Sequence, residues 1–138
     1  MPFVLQDFVK NLDCDYRVIV LYDRYFAVER MTNKGDFRAS GTKKFIFDFE
    51  MPKGLLDYAK EIFDTFKSPL LSMDIGFDGK DFYLFEYQAI HFGISAVVRS
   101  NGYHVLENGH WKFTQTTTVF EVAIAEAFDK YVKLGCAK

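Results

Sequence analysis

The segment LLSMDIGFDGKDFYLFEYQAI, residues 70–90, constrains the fold more than any other. Two apolar, aromatic-rich runs flank Asp78-Gly79, a turn signal, so the segment predicts a β-hairpin. Asp74, Glu86 and Gln88 fall inside those strands, where an apolar side chain would be the default. Alternate residues of a strand share a face. A two-residue turn at Asp78-Gly79 would pair Phe77 with Lys80 and set Asp74 and Glu86 on opposite faces. An odd-length loop, or one bulge, sets them on the same face. The apolar residues choose between the two: Ile75 and Phe77 join Tyr83, Phe85 and Tyr87 on one buried face only in the second register. That register gathers Asp74, Glu86 and Gln88 on the other face.

Two carboxylates held close repel unless one is protonated or a cation lies between them. A hard divalent cation takes oxygen ligands, and magnesium commonly uses one or two carboxylates together with substrate phosphates. Gln88 would add a neutral carbonyl oxygen. Arg17 and the basic stretch 34–44 could serve the phosphates. The same pattern also suits a solvated sheet face carrying ordinary charges.

The rest of the chain extends the sheet. Residues 3–9 (FVLQDFV) read as a strand. Residues 16–22 (YRVIVLY) and 25–31 (YFAVERM) read as a hairpin turning at Asp23-Arg24. Residues 32–44 (TNKGDFRASGTKK) carry a loop signature, and FIFDFE (45–50) is a short extended stretch. From Pro52 to Lys67 the apolar residues Leu55, Leu56, Ala59, Ile62, Phe63 and Phe66 recur at helical spacing. Pro52 suits a first turn, and Ser68-Pro69 ends the helix. Residues 93–113 are mixed, with glycine turns at Asn101-Gly102 and Asn108-Gly109. A closing helix spans 118–134, with Thr118 and Glu121 as a capping box and Gly135 as its stop. Ala123, Ile124, Ala127, Phe128, Tyr131 and Val132 form its apolar face, expected to be core. The order predicts an α+β fold, an antiparallel sheet with packed helices.

At 138 residues the chain suits a single domain, 1–138. Its 16 phenylalanines and 8 tyrosines supply enough apolar area for a core. A formal net charge of −2 argues against a nucleic-acid or membrane footprint. No apolar run reaches the ~20 residues that span a bilayer. The N-terminus lacks a basic leader and long apolar core, so a soluble, cytoplasmic protein is the expectation. Cys14 and Cys136 have no zinc or CxxC spacing and read as free thiols.

Four stretches carry a family resemblance. QDFVKNLDCDYRVIVL resembles a strand leaving an adenine-binding hinge followed by a "D-x-R-v-x-v" strand. AVERMTNKGDFRASG resembles an "a-x-x-R-x-x-x-x-G-x-x-R-x-N" loop. LLSMDIGFDG resembles a strand with a first metal carboxylate, and FYLFEYQA an "E-x-N" strand with two further ligands. In this order they resemble the C-terminal subdomain of the ATP-grasp fold, shared by glutathione synthetase and the ribosomal-protein glutamate ligases. The resemblance implies an ATP-dependent carboxylate–amine ligase acting through an acyl phosphate, with magnesium or manganese bridging the phosphates. It places Asp74, Glu86 and Gln88 at the metal, and Arg17 and Arg30 near the triphosphate and the reacting acyl group. It places Arg38 on the substrate, and Gln6 and Asp7 beside the adenine hinge. Lys43, in the basic loop, joins Arg17 as a candidate for the phosphates. It implies ATP, a carboxylate and an amine as partners.

Departures from the family pattern are visible. Gln88 stands where asparagine is usual, Ser40 where the loop asparagine is common, and Lys43-Lys44 where a glycine pair follows. Relative to the family, the chain is expected to start at the hinge. The substrate domain and the small lobe with its phosphate-binding lysine would then be absent, and the isolated chain would bind nucleotide weakly and catalyse little. The alternative expectation is a stand-alone, inactive relative used for binding or homo-oligomeric assembly. Three other residue sets have plainer readings. His104, Glu107 and His110 read as a surface loop rather than a zinc site, His91 as a packed histidine, and Trp111 as core.

Overall fold

The computed structural model of the chain describes residue 9, residues 12–32 and residues 44–135. Strands β1 (Cys14–Leu21) and β2 (Arg24–Met31) form the first hairpin. Their turn is Tyr22-Asp23, because Leu21 faces Arg24 across the ladder. This lies one residue earlier than the sequence pattern suggests. Tyr22 adopts a left-handed backbone (φ 60°), and its N–H donates to the Pro69 carbonyl at 2.8 Å. That bond helps hold a conformation that costs a side-chain-bearing residue on the order of 1–2 kcal/mol.

Strand β3 (Phe45–Ile46) is followed by helix α1 (Leu55–Thr65), β4 (Leu70–Phe77) and β5 (Phe82–Gln88). A short helix, α2 (Ser95–Val98), leads to β6 (Gly102–Glu107), β7 (His110–Gln115) and the closing helix α3 (Phe120–Gly135). All pairings are antiparallel, in the order β5-β4-β1-β2-β6-β7. Strand β3 also lies beside β2, at Glu29 and Arg30, while β6 meets β2 at Tyr25. The expected α+β architecture, an antiparallel sheet with packed helices, is therefore present.

Both faces of the sheet are covered. Tyr16, Val18, Val20, Met73 and Ile75 pack with Leu55, Leu56, Ala59 and Phe63 of α1. Ile19, Leu21, Phe26 and Val28 pack with Ala96 and Val97 of α2 and Ala123 and Ala127 of α3. Burial on two sides explains why β1 reads as a nearly continuous apolar run rather than an alternating one. Each such side chain contributes roughly 1.5–3 kcal/mol on burial.

Several expectations change. The strand expected at 3–9 lies outside the described residues apart from Val9. Within and just beyond residues 93–113, read as mixed, residues 102–115 form a hairpin. Its turn, Asn108-Gly109, has positive φ at both residues (52° and 78°), the conformation that Asn-Gly favours. The Thr118 capping box does not form: α3 starts at Phe120, and the Thr118 hydroxyl is buried without a hydrogen-bond partner. Of the α3 face expected to be core, Ala123 and Ala127 are buried, but Phe128 and Val132 are 48% and 57% exposed. The helix meets the sheet through Ala123 and Ala127, whose small size allows close approach, with Phe120 and Ile124 packed beside them. Its outer flank stays open. His91 is exposed rather than packed. Trp111 is half-buried against the α1 cluster, and its indole N–H donates to Asp57 at 2.8 Å. No helix among the described residues is long and apolar enough to cross a membrane.

Candidate functional site

The β4–β5 loop runs from Asp78 to Asp81, so Phe77 faces Phe82. Asp78 organises it. Its carboxylate accepts from the backbone N–H groups of Lys80 and Asp81 and from the Tyr83 hydroxyl. These three bonds hold its pKa below the ordinary carboxylate value. A four-residue loop alone would place Phe85 opposite Asp74. The ladder instead shifts between Asp74 and Ile75, leaving Phe85 as an extra residue, so Asp74 faces Glu86 and Ser72 faces Gln88. The expected clustering of Asp74, Glu86 and Gln88 on one face is therefore present, by way of a bulge.

The membership of the opposite face differs from expectation. Phe82 and Leu84, not Tyr83 and Phe85, join Ile75 and Phe77 over α1. Phe85 turns to the site face and lies over Gly76, where a Cβ would come within 2.3 Å of its ring. Tyr87 does share the α1 face with Met73, yet it is half-exposed and packs edge-on against Phe66.

Beside this pair, β1 and β2 contribute two arginines. Arg17 faces Asp74 across the β1–β4 ladder and donates to both its oxygens, at 2.8 and 2.9 Å. Arg30 donates bidentately to Asp15 at 2.7 and 2.6 Å and reaches Asp74 at 2.8 Å. Two guanidiniums and two carboxylates thus form one continuous, mostly buried network whose formal charges cancel. Burial opposes the charge on Arg30, but Asp15 and Asp74 together more than offset it and keep the guanidinium protonated. Burial pushes the Asp15 carboxyl up from its ordinary value, and the bond from Arg30 pulls it partly back. Asp15 was not singled out in the sequence. Its signal is positional, because the β1–β2 register sets it opposite Arg30.

Glu86 is exposed, and the Gln88 amide N–H donates to one of its oxygens. The second Glu86 oxygen and the Gln88 carbonyl have no partner among the described residues. These are hard oxygen donors, Glu86 directly across the ladder from Asp74 and Gln88 across from Ser72 on the same face, a donor type that magnesium and manganese accept. The two oxygens of Asp74 are by contrast already engaged by guanidiniums. Among the described residues no three His, Cys, Asp or Glu side chains form a cluster able to hold a metal, so the set consists of two carboxylates and an amide. Gly93 brings the chain after β5 back over the site: a Cβ there would lie 3.6 Å from the Arg17 guanidinium.

Gln6, Asp7, Arg38 and Lys43 lie outside the described residues. Lys44 and Thr32, which flank residues 33–43, are both placed at the end of β2 next to Arg30. The Met31 N–H donates to the Lys44 carbonyl, and the Thr32 N–H to the Asp13 carbonyl. His104, Glu107 and His110 do not gather as three: Glu107 faces His110 and pairs with Lys112, while His104 faces Phe113 on the other side of the hairpin. Cys14 is a free, half-buried thiol whose pKa burial raises to about 11. The chain matches no protein-family model, no curated protein sequence and no solved structure.

Proposed function

We propose that the face bearing Arg17, Arg30, Asp74, Glu86 and Gln88 binds ATP together with a divalent metal. On this reading the chain belongs to the machinery of an ATP-dependent carboxylate–amine ligase of the ATP-grasp kind. The observation that carries the reading is the gathering, on one sheet face, of two guanidiniums from β1 and β2 and three oxygen-bearing side chains from β4 and β5. These are the positions to which the sequence resemblance assigns the phosphates and the metal.

In such a reaction a substrate carboxylate attacks the terminal phosphoryl group and ADP leaves. An amine then attacks the acyl phosphate, phosphate leaves, and an amide bond forms. Arg17 and Arg30 are suited to the first step, since the fork that grips a carboxylate also grips phosphate oxygens. Glu86 and Gln88 would hold the metal, with Asp74 joining them as its arginines turn to the phosphates. The metal, when bound, neutralises charge on the phosphate oxygens. Calorimetry with magnesium–ATP tests the reading. Glu86→Ala should weaken binding at least about tenfold, or roughly 1.4 kcal/mol. Equal heats for the two proteins would contradict it.

A second reading, an assembly module without catalysis, is favoured by one feature. Val122, Phe128, Val132 and Leu134 leave apolar surface exposed along α3, with Val119 just before it. Sedimentation equilibrium that finds a monomer throughout the micromolar range would count against it.

A further inference from the structure

Beside β2, between the segment after β3 and the β6–β7 hairpin, lies a cleft of about 340 Å³. Ala27 of β2 forms part of its floor, the segment after β3 supplies Phe47, Asp48 and Phe49, and the β6–β7 hairpin supplies His104, Phe113 and Gln115. The volume lies within the range of small-molecule sites. None of its lining residues belongs to the candidate metal and phosphate set. The hairpin that makes one wall belongs to none of the four stretches that carry the family resemblance.

The lining has a definite chemistry. Phe47, Phe49 and Phe113 line it, and the faces of such rings attract cations. Arg99 already lies over one of these rings, Phe47, at 5.2 Å, so an aromatic ring of this lining accepts a guanidinium. Asp48 is the one charged residue of the lining, and its carboxylate makes no ion pair or hydrogen bond with any described residue. Gln115 likewise keeps its side-chain amide unpaired among the described residues. His104 is half-buried with its ring tilted on Phe113 at 5.0 Å, and burial holds its pKa below the ordinary value of 6.5. It is therefore neutral at pH 7 and does not repel a cation. Gly102 lets this wall close up, since a Cβ there would meet the Thr114 carbonyl at 2.0 Å and the Phe113 ring at 2.9 Å.

We propose that this cleft is a second binding site, and that it takes a small planar organic cation of the amidinium or guanidinium class. Aromatic walls would sandwich the flat group, Asp48 would pair with its N–H edge, and Gln115 would accept or donate at the rim. The proposal does not depend on the ligase reading, because no residue is shared between the two sites.

Benzamidinium is the probe, with benzoate and benzyl alcohol as anionic and neutral controls of similar shape. Calorimetry on the full chain should show saturable one-site binding of benzamidinium in the millimolar range, the affinity open to a ligand this small. Benzoate should give no saturable heat, and benzyl alcohol should bind at least about tenfold more weakly than benzamidinium. Asp48→Asn should weaken benzamidinium about tenfold. This carboxylate is exposed and unpaired among the described residues, so its loss should leave folding intact. Nuclear magnetic resonance shifts on titration should centre on His104, Phe113 and Gln115. The proposal is overturned if benzamidinium fails to saturate the wild-type chain or benzoate binds as well. An unchanged affinity in Asp48→Asn, or shifts mapping elsewhere, would overturn it equally.

Discussion

Asp74 is held at 2.8–2.9 Å by two guanidiniums, and one of them, Arg30, is only 3% exposed. Breaking such a network on one side leaves a buried charge without its partner. Asp15→Ala should therefore destabilise the fold by about 3 kcal/mol, seen as a lower urea midpoint with unchanged slope. A loss under about 0.5 kcal/mol, typical of a surface pair, would show that Arg30 finds solvent or another anion. Asp74, Glu86 and Gln88 were legible as a group, although of the β5 residues that pointed to it only Tyr87 shares the face of Ile75 and Phe77, and a bulge supplies the change of register. Asp15 was not. A hairpin turning at Asp23-Arg24 would set Arg17 opposite Arg30 and hide the pairing. Moving the turn to Tyr22-Asp23 sets Asp15 against Arg30 and Arg17 against Val28. A shift of the turn by one residue thus re-pairs both arginines. The decisive contact, Tyr22 to Pro69, is long-range and invisible locally.

At the scale of elements, the bulge at Phe85 aligns the two carboxylates. Gly76 makes room for it, as the Phe85 ring occupies the space a side chain would need. Gly76→Ala should cost about 1–3 kcal/mol through this overlap. It should also speed amide exchange in β4 and β5 more than in β6 and β7. Uniform exchange across the sheet would mean that Phe85 swings aside without disturbing the ladder. The bulge itself was half legible: the apolar pattern required a change of register but not its location. Tyr83 and Phe85 were misassigned because an aromatic residue satisfies either face of a partly exposed edge strand. The β6–β7 hairpin carried a legible Asn-Gly signal, but its strands hold enough charge and exposure to obscure the alternation.

Across the whole molecule, one sheet lies between α1 on one side and α2 with α3 on the other. His104, on the α1 side, has its pKa lowered by burial, so the unfolded chain binds a proton more readily than the native one. Its contribution to stability is fully present above 6.5 and is lost as pH falls through the lowered native value. Denaturation midpoints should therefore fall as pH drops below about 6.5, and His104→Gln should remove part of that slope. An unchanged slope would assign it to other groups. The outer flank of α3 was the least legible part, because helical periodicity marks an apolar stripe without saying how much of it a neighbour covers.

The claim that ties these scales together is that one sheet face holds metal and polyphosphate jointly. Proton relaxation by manganese measures this directly, on wild type and on Arg17→Gln. Asp74 is engaged by both arginines, so manganese alone should bind wild type weakly and ATP should strengthen it at least about tenfold. Arg17→Gln leaves Asp74 its bond from Arg30 while freeing an oxygen, so it should bind manganese alone more tightly and gain less from ATP. Manganese binding that ATP does not strengthen, or that Arg17→Gln leaves unchanged, would contradict a joint site.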